Sequence, residues 1–441
     1  MSTTMTPPPV TTAAMASFAT AFHSSETAGP PALVERRRAA MAGFLDAGLP
    51  TTHDEEYRFT SLAPLARTAF VHGTYGMPYA SSRDHSPLIN GDVFRFDFVN
   101  GSLVSADGAA LPAGVVAKSL RSALADDPDA AMAHLGTVAS DAGYPFIALN
   151  TAFFHDGLYL LIPAGVVVET PILLRHCVRS GDDGNAMAFP RVLVVAGENS
   201  QVRIIEVFTG VEGETALVAA VAEFVVGDAA VVDHYRLVDE ALTAFHFGAI
   251  DARQGRAASF STQAFNFGGA LVRNDVGVHL AGEGGTATMN GLTRIGGRQV
   301  VDNHTRIDHA VPRCETHEFY KSVLDGQSRY VFNGKILVRE DAQKTNSKQT
   351  NRNLLLSKDA LANSNPQLEI YADDVKCTHG ATVGQIEDDY VYYLRTRGIP
   401  EAEARNLLVY AFANDVIARV NHAPLRGLLD ARVLDLTSVA R

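Results

Sequence analysis

The chain has no tryptophan and only three cysteines in 441 residues. Cys177, Cys314 and Cys377 lie far apart. An odd, sparse set makes no disulfide framework, so a reducing, cytoplasmic home is expected. Basic residues are outnumbered 37 to 49, for a formal net charge of -12. Phosphate binding needs clustered positive charge, so neither nucleic acid nor an anionic membrane is expected as a main partner. The one dense basic run, Glu35–Arg38, reads as a solvated helix face. No apolar run approaches a membrane span, and the opening "MSTTMTPPPVTTAAMASF" lacks the charged and apolar regions of a secretory signal. The usual catalytic signatures are missing as well. There is no GxSxG elbow and no HExxH helix. Gly334-Lys335 lacks the glycine five positions earlier and the following Ser or Thr of a phosphate loop. "GEGGTA" from Gly282 is followed by a strand-like run where a dinucleotide site needs a helix.

What is present divides into blocks. Residues 1–30, rich in Thr, Pro and Ala, read as a disordered tail. Residues 31–89 read as a helical region: Leu33, Met41, Phe44 and Leu45 have helical spacing that stops at Gly48 and Pro50. Thr52 followed by Glu55 forms a capping-box pattern. Residues 90–383 carry recurring strand-like runs such as "VRIIEVF" and "YVFNGKILV" between Gly, Asn and Asp. That is too much strand for one sandwich. Two sandwiches, a propeller or a β-helix remain. Asn346, Asn351 and Asn353, placed to form ladders at turns, favour the β-helix. Residues 384–441 read as helical, with Leu407, Leu408, Ala411, Phe412, Val416 and Val420 as an apolar stripe.

Two groups of residues suggest chemistry. His304, His309, Cys314 and His317 are crowded in sequence, but a separation of five puts His304 and His309 on opposite faces of a strand. A polar surface and one buried cysteine explain that group better than a metal site. In "YADDVKCTHGATVG", Cys377 and His379 stand two apart, so on a strand both point to one face. A thiolate and an imidazole so placed suit a metal or a reactive pair, yet a closed tetrahedral site needs about four ligands. The others must come from distant segments or another chain.

The runs "PQLEIYADDVKCTHGATVG" and "YLRTRGIPEAEARNLLVYAF" resemble the SufB/SufD family of iron–sulfur cluster assembly proteins. "LPTTHDEEYRFTSLAPL", "DNHTRIDH", "FNGKILV" and "AQKTNSKQTNRNLLLS" are similar to it too, the last to its SufD side. The resemblance spans most of the chain beyond residue 30, with Tyr57 standing where a tryptophan is common. It implies a mainly β fold, a right-handed parallel β-helix core flanked by N-terminal and C-terminal helical regions. It implies a non-catalytic scaffold that pairs with SufB through the β-helix ends in a complex with two copies of the ATPase SufC, and that docks SufC on its C-terminal helices. His379, with Cys377, would then serve a transient iron–sulfur cluster at the SufB junction, no cofactor being held tightly by this chain alone. A homodimer is the alternative association of the chain, and a carbohydrate-active β-helix enzyme is the rival reading.

Overall fold

The computed structural model describes residues 12–24, 29–108 and 110–438. Its centre is a parallel β-solenoid of eight rungs, each a strand in one sheet followed by a strand in the other. The first four rungs are β1 Gly157–Ile162 with β2 Ile172–Val178, β3 Arg191–Ala196 with β4 Gln201–Gly210, β5 Ala216–Val226 with β6 Val231–Asp239, and β7 Phe245–Gln254 with β8 Ser259–Asn266. The last four are β9 Leu271–Leu280 with β10 Thr286–Ile295, β11 Val300–His309 with β12 Glu315–Leu324, β13 Arg329–Val338 with β14 Asn346–Leu355, and β15 Leu361–Ile370 with β16 Lys376–Gln385. Odd strands stack into sheet one and even strands into sheet two. Gly334-Lys335 lies within β13, in regular strand.

Period-two alternation builds this stack. On β11, Val301, Asn303, Thr305, Ile307 and His309 are buried between the sheets. Asp302, His304, Arg306 and Asp308 alternate with them on the outer face. The early rungs fill the interior with aliphatic side chains such as Leu158, Leu160, Ile172, Leu174 and Val194. Each such burial stabilises by roughly 1.5–3 kcal/mol.

The first rung is covered on both sheets: 116–119 pairs antiparallel with β1, and 94–99, itself antiparallel to 102–107, pairs in parallel with β2. The last rung is open. Among the described residues β15 and β16 end their sheets and pair on one side only.

Helices cover the two outer faces. The N-terminal helices α1 Ala13–Ser24 and α2 Pro31–Ala47, with α3 Pro145–Phe153, pack on sheet one around Phe245, Phe247 and Leu271. Helix α2 ends at Gly48, whose φ of 73° suits glycine. The expected tail is therefore corrected: Ala13–Ser24 is helical because Ala14, Met15, Phe18 and Ala21 form a buried face. Residues 1–11 and 25–28 of that expected tail lie outside the described residues. The capping box at Thr52 does not form; Asp54 instead accepts from the Thr51 amide at 2.7 Å before a single 3-10 turn, Glu55–Tyr57. The block expected as pure strand also holds α3 and short helices at 120–126 and 128–132.

The C-terminal helices α4 Asp388–Thr396, α5 Glu401–Ile417 and α6 Ala423–Ser438 belong to the same body. They bury Ala413, Val416, Ile417, Val420, Leu425 and Leu429 against sheet two. The buried stripe of α5 runs through Ala404, Val409, Ala413 and Val416; the expected Val416 and Val420 are buried, while the expected Leu407 and Ala411 are exposed. Lys321 fastens α5 to β12, donating to Phe412 O at 2.8 Å and to Asp415 Oδ2 at 2.5 Å.

Candidate functional site at the open end

Cys377 and His379 both lie on β16, the terminal strand of sheet two. Parallel register sets Ser347 of β14 beside Cys377 and Gln349 beside His379. Ser347 and Gln349 are buried and face the interior, so the Cys377–His379 face continues the interior surface to its open end. Cys377 is half-buried against the core and His379 is exposed. Two potential ligands thus look the same way on an unpaired rung. Among the described residues, no group of three or more His, Cys, Asp or Glu could hold a metal ion.

The Cys377 thiol is not activated in this arrangement. Burial pushes its pKa up, and the Ser347 backbone amide pulls it down by less. The rung around the pair exposes several apolar side chains among polar ones: Tyr371 is 65% exposed, and Leu361 and Val383 about half so.

Behind each of the two residues runs a row of polar side chains that sequence reasoning missed. One row passes from Cys377 to Ser347 and Thr316, in register on successive rungs. The Thr316 and Ser347 hydroxyls are 2.7 Å apart, and His309 Nε2 is 3.0 Å from Thr316 Oγ1. Burial pushes His309 down to about 4, so its ring is neutral. The other row passes from His379 to Gln349 and Glu318. Gln349 Nε2 donates to Glu318 Oε2 at 2.6 Å, and burial raises the Glu318 carboxyl to about 7. The signal was in "NSKQTNRN": every second residue from Ser347 is polar and faces inward. Asn351 and Asn353 belong to this set, joined to each other at 2.6 Å. They lie within β14 and not at turns, and Asn346 faces outward to Glu315. Asn-to-Asn contacts between rungs are found elsewhere, where Asn274 Nδ2 donates to Asn303 Oδ1 at 2.9 Å and to Asn266 Oδ1 at 3.1 Å.

The crowded histidine segment does not come together as a site. His304 faces out, His309 and Cys314 are buried, and His317 is exposed beside Glu315 at 2.9 Å. The Cys314 thiol points to Gly282 O at 3.6 Å, and burial raises its pKa. His304 instead joins the N-terminal region to the solenoid. Its Nδ1 is 2.9 Å from Glu56 Oε2 and its Nε2 2.9 Å from Asp302 Oδ1. Burial opposes a charge on the ring, but Asp302 and Glu56 outweigh it and raise His304 to about 9. Arg273 lies over the buried Tyr57 ring at 4.1 Å and donates to Asp302 at 2.9 Å, while Thr60 Oγ1 donates to Asp302 at 2.6 Å. The aromatic position of "DEEYRFT" therefore packs on a cation from the solenoid.

Comparison with known proteins agrees with this geometry. Residues 178–412 match the family described as SUF system FeS cluster assembly, SufBD core domain, and residues 15–174 match the SufBD protein N-terminal region. An iron–sulfur cluster assembly SufBD family protein of Synechocystis is 32% identical over 407 residues, covering 90% of this chain and 89% of the relative. The iron–sulfur cluster assembly protein SufD of Escherichia coli is 31% identical over 392 residues, 88% and 90% of the two chains. SufD of Bacillus subtilis is 30% identical over 286 residues, 64% of this chain and 63% of the relative. With a family match over more than half its length, the chain belongs to the SufBD family of iron–sulfur cluster assembly proteins.

Proposed function

We propose that this chain is a non-catalytic, cytoplasmic scaffold subunit that completes a nascent-cluster site only with a partner. The observation that carries this is the placing of Cys377 and His379 on one face of β16, the strand that leaves its sheet unpaired. An unpaired edge offers a row of backbone donors and acceptors to another strand. Exposed Leu361, Tyr371 and Val383 give the same end an apolar contact surface. The partner is a SufB-type paralogue, whose own end rung meets β15 and β16 and brings the remaining ligands, a cysteine among them. The iron–sulfur cluster is cargo assembled at that junction. His379 supplies a ligand as a neutral imidazole, and Cys377 supplies a second sulfur position, the weaker assignment because its thiol pKa is raised.

The C-terminal helices are the docking ground for a SufC-type ATPase. Helix α4 leaves Tyr390, Tyr392 and Tyr393 each more than half exposed, while α5 and α6 are anchored to sheet two. Movement of the helices reaches β12 through Lys321, two strands from β16 in the same sheet. Nucleotide binding biases the junction only as far as it prefers one arrangement of those helices.

The test is His379→Ala in a complex rebuilt from this chain and its own SufB-type and SufC-type partners. Native mass spectrometry should show the complex unchanged, and the yield of reconstituted cluster should drop at least tenfold. An unchanged yield would remove the ligand role.

A further inference from the structure

We propose that Gln349, held in place by Glu318, is the positioning residue for the imidazole of His379. The inference rests on the reading of His379 as a ligand, and it concerns how that ligand is aimed.

Gln349 is 1% exposed, and its Nε2 donates to Glu318 one rung further in. Its Oε1 is buried with no hydrogen-bond partner among the described residues. A primary amide carries its oxygen and nitrogen on opposite sides of one carbon. With the nitrogen aimed inward at Glu318, the oxygen is turned outward along the stack. The side chain has little room to swing: a Cβ added to Gly334 would stand 2.3 Å from Gln349 Nε2. The amide therefore lies against bare backbone of the facing sheet, which only glycine permits.

His379 is the next residue outward in the same row. Neighbouring strands are about 4.8 Å apart, a spacing that one hydrogen bond between row partners spans. A turn of the exposed His379 ring about its side-chain bonds brings a ring N–H to Gln349 Oε1. A buried acceptor without a donor is costly, so this contact satisfies it. The ring nitrogen that donates inward keeps the proton, and the other presents its lone pair to the open end. Fixing the tautomer and tilt of a ligating histidine through its second nitrogen is a general device of metal sites.

The experiment is nitrogen-15 NMR of the full chain labelled at histidine, with His379→Ala to assign the signal and exposed His53 as the internal reference. In the unsubstituted chain, neutral His379 should favour one tautomer roughly fivefold over the His53 ratio, the bias of one hydrogen bond. Gln349→Met should return His379 to the His53 ratio with the circular dichroism unchanged. Gln349→Glu, which shares a proton with Glu318 and still offers an oxygen, should keep the bias. A His53-like ratio in the unsubstituted chain overturns the proposal, whatever the variants do, and so does a bias that survives Gln349→Met. If instead the bias behaves as stated while His379→Ala leaves cluster yield unchanged, positioning stands and the ligand reading falls.

Discussion

The two ends of the solenoid are built on the same stacking of parallel strands, yet they are finished in opposite ways. At the first rung β1 and β2 are buried almost throughout, each covered by a further strand and filled with Leu, Ile and Val. At the last, β16 is exposed along nearly its whole length, and the interior behind it is Ser, Gln, Asn, Thr and Glu. A stacked fold adds stability rung by rung through neighbour contacts, so the closed end can hold the fold while the open end stays available. The chemistry-bearing residues stand at the end that contributes least to stability. That arrangement suits a protein whose working surface is finished by another chain.

The sharpest way to break this contrast is to remove the same kind of side chain from each end. Leu174→Ala empties a fully buried position on β2 and should cost about 2–5 kcal/mol in urea unfolding. An equal cost for Val383→Ala on β16 would erase the distinction. Next in size is the joint between the N-terminal region and sheet one. His304 is raised to about 9 in the fold, against about 6.5 in an unfolded chain. Its contribution is fully present below pH 6.5 and is lost as pH rises through 9. The linkage is on the order of 3 kcal/mol. His304→Gln should lower the melting temperature at pH 6 and flatten the decline between pH 7 and 10.

Glu318 probes the polar interior near the open end. Its pKa is raised to about 7 from an ordinary 4.5. The folded state therefore holds a proton that the unfolded state has released between pH 4.5 and 7, and stability falls as pH rises through that window. Glu318→Gln should stabilise the chain at pH 8, by at most about 3 kcal/mol, and do little at pH 4. A destabilised variant at pH 8 would mean that the carboxylate is paired in a way the structure does not contain. Smallest of all, Val383→Ala should stay within about 0.5 kcal/mol in the isolated chain, yet measurably weaken association with a SufB-type partner.

Much of this was written plainly in the sequence, and the losses have physical reasons. Strands were legible because strands of about ten residues show period-two alternation many times over. The same period placed Cys377 and His379 on one face and separated His304 from His309. Helix α1 was missed because a Thr- and Pro-rich opening hides the short buried face of Met15 and Phe18. The stripe on α5 was right at Val416 and Val420 and misplaced before them, because its buried face there uses Ala404 and Ala413, which carry little hydrophobic signal. Pairing of Glu56 with His304 joins residues 248 positions apart, which no local pattern reveals. Nor does β16 announce that its outer edge is unpaired; only the order of strands in the sheet does.

Hydrogen exchange of the β15 and β16 amides, measured with and without the SufB-type partner, decides whether the open end is the junction. The outer-edge amides should exchange fast in the chain alone and be strongly protected once the partner binds, with the amides of β1 and β2 protected throughout. A stable complex in which β15 and β16 continue to exchange freely would contradict this expectation, because the partner would then be held elsewhere and the open end would not be the junction.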